Sequence, residues 1–181
     1  MARLREKYQK EIVGAMKKEF GYTNDAETPR ITKVVLNSGV GKFAKDEKMV
    51  ELIEKGLTLI AGQKAVRTKA KKSIAGFKSR QGMDIGVKAT LRGDRMYHFV
   101  DRLISVALPR TRDFHGIDLK NIDQNGNLTL GIKEDIVFPE TSHEKAGQIF
   151  GFQVTVVTNA GKKEGERLLA LFGFPLKKAA K

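Results

Sequence analysis

The chain has 181 residues, of which 40% are hydrophobic and 30% charged, and a formal net charge of +13 at pH 7. This length allows a substantial core, and we predict one domain spanning residues 1–181. The absence of cysteine excludes disulfides and thiolate metal sites. No apolar run approaches the roughly 18 residues of a membrane span, and the charged amino terminus is unlike a signal peptide. We therefore expect a cytoplasmic protein with no membrane partner.

Positive charge is concentrated in one stretch of the chain. Residues 55–95 contain 11 Lys or Arg and 2 Asp or Glu, a net +9 out of the total of +13. No acidic residue occurs between Glu54 and Asp84. So many like charges repel one another, which favours a polyanion as the binding partner. The alternative is a solvated, lysine-rich surface loop.

Apolar residues and two glycines interrupt the basic stretch, which indicates a structured loop rather than a flexible tail. Gly76 and Gly82 let the backbone turn on either side of Phe77. We place the protruding loop at about 71–82, held at its ends by strands. Its tip offers Lys and Arg to phosphates and Phe77 as a surface for stacking on a base or sugar.

Three elements are predicted before this loop. Apolar residues recur every four positions over 4–20, which predicts an amphipathic helix that ends at Gly21. The β-branched run 31–37 predicts a strand. Asp46 begins a second helical pattern, which Gly62 ends.

The turn between that strand and the second helix resembles a phosphate-binding loop. Gly39, Gly41 and Ala44 occupy the spacing of a dinucleotide fingerprint. Lys42 is followed by Phe43 rather than Ser or Thr, so the Walker pattern fails. Nor does an acidic residue end the next strand, where a ribose needs one. A nucleotide- or phosphate-ligand-binding enzyme that uses the turn at residues 39–42 is the alternative function, and a DNA-binding module is a third.

Two strands and a helix follow the second helix. Residues 65–68 and 85–91 are predicted as strands, and the second of these alternates apolar with polar side chains. A sheet with one packed and one polar face suits RNA recognition, because strands hold side chains in fixed register. Asp94 is predicted to cap a third helix, which Leu108 and Pro109 end.

The remaining elements are read from turn signals and alternation. Asn125-Gly126 predicts a hairpin between strands at 119–123 and 128–132. We expect an apolar edge at 136–139 and a short helical turn near 143–149. Alternation predicts a last strand over 152–158, followed by a helix over 162–172.

The sequence contains no constellation that indicates catalysis. His98, His115 and His143 are far apart and lack cysteine neighbours, so we predict neither a metal site nor a cofactor. The adjacent Ser142 and His143 do not make a triad, whose members meet through the fold. We therefore predict that the chain is not an enzyme.

Several long motifs resemble one protein family, the large-subunit ribosomal protein five family of bacterial type. The resemblance covers about residues 3–175. The motifs that carry it are 59–73, 74–78, 90–97, 103–113, 131–134 and 138–140.

The resemblance implies an α+β fold, with an antiparallel sheet, helices packed mainly on one face and a long basic loop. It implies a structural protein of the central protuberance that binds 5S rRNA and helps attach it to the large subunit. The implied partners are 5S rRNA, 23S rRNA, peptidyl-site tRNA, neighbouring large-subunit proteins of the central protuberance and a small-subunit bridge protein.

The resemblance also assigns roles to residues. The expected tRNA contacts are Lys71, Lys72, Ser73, Phe77, Lys78, Ser79, Arg80 and Gln81. The expected 5S rRNA contacts are Asn37, Ser38, Gly39, Gln63, Lys64, Thr90 and Arg92. The contributions of the first helix, Arg110 and Arg112 to RNA binding are left open.

Overall fold

The computed structural model describes residues 2–43, 46–77, 79–112, 114–142 and 149–177. The helices are α1 (3–20), α2 (Glu47–Ala61), α3 (93–110), α4 (Pro139–Ser142) and α5 (Lys162–Phe172). The strands are β1 (Ile31–Gly39), β2 (Val66–Lys69), β3 (Asp84–Leu91), β4 (Leu128–Ile132) and β5 (Phe152–Thr158).

The five strands form one antiparallel sheet in the order β2-β3-β1-β5-β4. Burial alternates along the strands, because successive side chains point to opposite faces. On β1, for example, Val34, Leu36 and Ser38 are buried, whereas Asn37 and Gly39 are exposed. The predicted α+β class with an antiparallel sheet is confirmed.

The chain divides into two compact units, which we call the terminal and the central unit. The terminal unit comprises Met1–Val34, Leu91–Leu130 and Thr155–Lys181. In it, α1 packs on α3 and α5 around buried Phe99 and Phe172. The central unit comprises Val35–Thr90 and Gly131–Val154, with α2 packed on α4.

The first two helices form as predicted, and the residues at their ends explain why. Gly21 follows α1 in the left-handed conformation at φ +76°, and its N–H donates to Lys17 O. Asp46 caps α2, accepting a hydrogen bond from the Met49 N–H at 3.2 Å. Gly62 ends α2 at φ +64°. Residues 44 and 45, including Ala44, lie outside the described residues.

The prediction for both ends of the third helix was wrong. The helix begins at Gly93, so Asp94 lies within its first turn and pairs with Arg5 at 2.7 Å instead of capping it. A π-helical segment interrupts the regular ladder at Leu103–Ala107, and a further turn at Leu108–Arg110 contains Pro109 near its start.

The hairpin prediction was half right. The turn forms, but the segment before it is a 3₁₀ turn at Leu119–Asn121 rather than a strand. Ile122 still pairs with Leu128 as an isolated antiparallel bridge. Asp123 braces the turn, because its carboxylate accepts the N–H groups of Asn125 and Asn127 at 2.9 and 2.8 Å. The Asn127 side chain and these N–H groups also hold the pKa of Asp123 below its usual value.

The segment after β4 is likewise a turn and not an apolar edge. A 3₁₀ turn at Asp135–Val137 leads into α4, and Phe138 between them is fully buried. The helical turn predicted near 143–149 falls almost entirely on residues 143–148, which lie outside the described residues. β5 and α5 form as predicted.

A charged clamp holds the base of the β2–β3 pair in the central unit. Arg67 Nε lies 2.6 Å from Glu54 Oε2 on α2, and Arg67 Nη1 lies 3.4 Å from Asp84 Oδ2 on β3. Asp84 Oδ1 is buried without a hydrogen-bond partner. Arg67 therefore compensates two carboxylates, although the sequence placed it in the basic stretch.

Replacing Arg67 with Met is expected to destabilise the central unit, because Glu54 and Asp84 then lose their shared cation. We expect a lower urea midpoint and faster amide exchange in β2 and β3. Lys69→Met is the matched control, since Lys69 is exposed on the same strand and makes no ion pair within the described part of the chain. Equal effects of the two substitutions would contradict the clamp.

In the terminal unit, the 123–127 turn packs closely at Gly126 against the connection between β5 and α5. Gly126 has φ +70°, and a Cβ there would lie 2.9 Å from both Ala160 O and Gly161 O. We expect Gly126→Ala to lower the free energy of unfolding by about 2–4 kcal/mol in urea titrations. Gly14→Ala, in α1 with no neighbour within 4 Å of the added Cβ, should instead raise it by about 0.5–1 kcal/mol. Similar behaviour of both variants would show that the contact is unimportant.

Candidate nucleic-acid interface

The basic loop continues the β2–β3 pair as an ordered hairpin. Thr68 pairs with Gly86, and the register shifts between Thr68 and Lys69. Beyond β2, Ala70 N donates to Met83 O at 2.8 Å, and Gly82 N donates to Ala70 O at 3.0 Å. The loop is therefore anchored by backbone hydrogen bonds on both sides.

The tip of the hairpin has its own hydrogen bonds. Ile74 and Ser79 exchange backbone bonds of 3.0 and 3.2 Å. Ser73 Oγ accepts the Gln81 N–H at 3.0 Å across the loop. Phe77, between the two paired residues, is 82% exposed, which is unusual for a side chain of its size. An exposed aromatic ring on a braced turn is a stacking surface.

The hairpin presents several cations to solvent. Lys69, Lys71, Lys72 and Arg80 are exposed, and none makes an ion pair with another described residue. Lys78 lies outside the described residues. Of the predicted tRNA contacts, Lys71, Lys72, Ser73, Phe77, Arg80 and Gln81 are exposed and Ser79 is half-buried. The described members thus occur together on one hairpin.

One face of the sheet in the central unit is open, and we call it the open face. It consists of Val35, Asn37 and Gly39 on β1, Val66 and Thr68 on β2, and Gly86, Lys88 and Thr90 on β3. Asn37, Gly39, Val66 and Lys88 are exposed. Half of these eight residues are polar, one of them is a cation, and the face continues directly into the base of the hairpin.

Side chains from neighbouring strands converge at the centre of the open face. A Cβ placed on Gly86 would lie 2.6 Å from Thr68 Oγ1 and 3.7 Å from Asn37 Oδ1. Gly86 therefore leaves room for two hydrogen-bonding groups to approach each other. Alternation along β3 predicts Lys88 on the same polar face as Thr90, whereas Thr68 and Gly86 were not predicted as part of the site.

Ser38 differs from its neighbours in the predicted 5S rRNA group. It lies on the buried face of β1, 2% exposed, and its hydroxyl donates to Gly151 O at 2.8 Å. Three consecutive strand residues cannot share one face, because the side-chain period is two. This geometry favours a structural role for the Ser38 side chain, with Asn37 and Gly39 on the open face.

The other predicted 5S rRNA contacts occupy different parts of the fold. Gln63 Nε2 donates to Thr90 O at 3.1 Å, which ties the α2–β2 connection to the end of β3. Lys64 is exposed beside it. Arg92 belongs to the terminal unit and immediately precedes α3.

The glycine turn after β1 lacks the features of a phosphate loop. The N-terminus of α2 is occupied by the carboxylate of Asp46, and phosphate loops need that position for the ligand. Among the described residues, no group of three His, Cys, Asp or Glu side chains is placed to hold a metal ion. The same part of the chain contains no helix long and apolar enough to cross a membrane.

Two family models match the chain in succession. The model described as "Ribosomal protein L5" matches residues 24–80, and the model for the C-terminus of the same ribosomal protein family matches residues 84–176. The open face lies within these two matches, and so does the hairpin apart from residues 81–83, which fall between them.

Relatives match over nearly the whole chain. The large ribosomal subunit protein uL5 of Francisella tularensis subsp. novicida is 52% identical over 178 residues, which is 98% of this chain and 99% of the relative. The protein of the same name from Fervidobacterium nodosum is 51% identical over 176 residues, covering 97% and 96%.

These matches decide several predictions. The relatives are ribosomal proteins, so the chain is a structural component of the large ribosomal subunit, and the prediction that it is not an enzyme is confirmed. The alternative of a phosphate-ligand enzyme is set aside. The expected location, on the ribosome in the bacterial cytoplasm, is confirmed. Because family models and relatives agree over most of its length, the chain belongs to the ribosomal protein L5 family.

Proposed function

We propose that the chain binds 5S rRNA through the open face and contacts peptidyl-site tRNA through the hairpin. The observation that carries this proposal is the continuity of the two surfaces within the central unit. The same two strands, β2 and β3, provide part of the open face and both arms of the hairpin. One rigid element therefore presents two chemically different surfaces.

The open face suits structured RNA. Asn37 and Thr68 offer short hydrogen-bonding groups, and Lys88 offers a cation to a phosphate. Such groups suit the ribose hydroxyls and base edges in a shallow RNA groove. Gln63, Lys64 and Thr90 extend this surface at one edge of the sheet.

The hairpin suits a second, more exposed RNA contact. Its unpaired cations neutralise phosphates, and Phe77 stacks on a base or a ribose. The bracing bonds between Ile74 and Ser79 lower the entropy lost on binding, because the turn is already formed.

The wider assembly follows from the same proposal. We assign the chain to the central protuberance, where it helps attach 5S rRNA to 23S rRNA. Neighbouring large-subunit proteins and a small-subunit bridge protein are the proposed protein partners. The whole chain is treated as one RNA-binding domain with a protruding basic loop at about 71–82.

Binding of 5S rRNA is expected to weaken steeply with salt. If about six phosphates are neutralised, the logarithm of the association constant should fall against log salt with a slope of about −4 to −5. Filter binding or fluorescence anisotropy at several salt concentrations measures this slope. A flat response would show that charge neutralisation does not drive binding.

Substitutions should separate the two surfaces. Phe77→Ala with Arg80→Ala is expected to leave 5S rRNA affinity within about twofold, because neither side chain lies on the open face. In reconstituted subunits the same variant should weaken protection of peptidyl-site tRNA by about tenfold, through loss of stacking and of a phosphate contact.

The reciprocal variant is the control for this experiment. Asn37→Ala with Lys88→Ala should weaken 5S rRNA binding by about tenfold or more and leave the hairpin unchanged. If both double variants weaken 5S rRNA binding and tRNA protection equally, the open face and the hairpin do not bind different RNAs. Circular dichroism of each variant confirms that its fold is intact.

A further inference from the structure

A cleft in the terminal unit gathers three arginines from distant parts of the sequence, and we call it the arginine cleft. Its volume is about 450 Å³, which is within the usual range of ligand sites, roughly 300–1,000 Å³. Arg5 comes from α1, Arg30 from the residue before β1, and Arg92 from the residue before α3. Tyr8 and Tyr97 contribute aromatic surface.

The arginine cleft has an excess of positive charge. None of the described residues that line it is acidic. Arg5 is paired with Asp94 at 2.7 Å, just outside the lining. Arg30 and Arg92 make no ion pair with any described residue. Two exposed guanidinium groups without an ion-pair partner are available to an anion that enters the cleft.

The two tyrosines form a fixed wall. Both rings rest on buried Phe172, with centroids 6.0 Å away for Tyr8 and 6.4 Å for Tyr97. The Tyr8 hydroxyl donates to Pro29 O at 3.1 Å, and the Tyr97 hydroxyl makes no hydrogen bond to a described residue. The Tyr97 ring is therefore held in place at the wall of the cleft, where 8% of the residue is exposed.

Charge and burial act together on these phenols. Burial raises the pKa of Tyr97, and the positive charges of Arg5 and Arg30 partly oppose that rise. Burial likewise raises the pKa of Tyr8, which Arg30 also opposes. The charge of Arg30 thus affects the pKa of both hydroxyls. The guanidinium and phenol groups therefore lie around the same cleft.

The backbone around Arg30 is rigid as well. Arg30 N donates to Asn159 Oδ1 at 2.6 Å, and Asn159 N donates to Arg30 O at 3.3 Å. Arg30 is therefore anchored on both sides of its Cα. A site whose groups are already positioned loses little entropy when a ligand binds.

We propose that the arginine cleft binds a phosphodiester group of RNA, with Arg30 and Arg92 on the phosphate oxygens and Tyr97 against the adjoining ribose. The proposal rests on the RNA-binding function given above and adds a contact in the terminal unit. Guanidinium groups favour this ligand, because their planar donors match phosphate oxygens in pairs.

The test uses two probes on the full chain. The chain has 3 Tyr and no Trp, so tyrosine emission is not masked, and two of the three tyrosines line the cleft. Ribose 5-phosphate, which does not absorb at these wavelengths, is titrated against tyrosine emission. 5S rRNA is titrated separately at several salt concentrations.

Arg30→Gln is the diagnostic variant, and Lys120→Gln is a control that removes one charge from an exposed position. We expect saturable binding of ribose 5-phosphate that Arg30→Gln weakens about tenfold or more. The salt slope for RNA should become shallower by about 0.7–0.9 in Arg30→Gln. Arg30→Lys should restore binding only in part, because it keeps the charge and loses the planar fork.

Each outcome decides the proposal. If ribose 5-phosphate gives no saturable change, or if Arg30→Gln behaves like Lys120→Gln with both probes, the cleft is not a phosphate site. If Arg30→Gln loses ribose 5-phosphate and keeps full RNA affinity, the site serves a free phosphate ester and the RNA assignment is overturned. If the unmodified chain fails to bind 5S rRNA, the proposed function fails, while the ribose 5-phosphate titration still decides whether the cleft binds phosphate.

Discussion

The antiparallel pairing of β2 with β3 is the constraint on which the rest of the account depends. Pairing fixes the register, and the two-residue period then assigns every side chain to one face or the other. Thr68, Gly86 and Lys88 are thereby placed on the open face. On the opposite side, Arg67 turns toward α2, where Glu54 binds it. A shift of one residue in the pairing of β2 would move Thr68 to the buried face and Arg67 to the open face.

Charge has different uses along this pair of strands. Arg67 forms ion pairs with two carboxylates and stabilises the fold. The cations of the hairpin, in contrast, make no ion pair with another described residue. A high density of positive charge therefore does not make each cation a binding group. The structural context separates those that stabilise the fold from those available to RNA.

Much of the fold could be predicted from periodicity and turn chemistry. The α1, α2 and α5 helices are marked by apolar repeats and by glycines at their C-terminal ends. The predicted strand at 119–123 is reduced to an isolated bridge between Ile122 and Leu128, because residues 119–121 form a 3₁₀ turn. Asp94 lies in the first turn of α3 and pairs with Arg5, a residue distant in sequence that no local pattern identifies as its partner.

The candidate site was predictable where it is continuous in sequence. The hairpin is one run of residues, so its length, charge and exposed Phe77 could be anticipated. The burial of the Ser38 side chain was not predictable, because the sequence does not show which face of β1 packs on the core. The arginine cleft was not predicted as a group, although Arg92 was an expected 5S rRNA contact, because Arg5, Arg30 and Arg92 are brought together by tertiary packing of separate segments.

Directed cleavage of RNA from single sites on the protein tests the central claim most directly. The chain contains no cysteine, so Lys88→Cys and Phe77→Cys each provide one attachment point for an iron chelate that cleaves nearby RNA. In assembled subunits, the account predicts that position 88 cleaves 5S rRNA and that position 77 cleaves peptidyl-site tRNA. Cleavage of the same RNA from both positions, or of neither RNA from either, would contradict it.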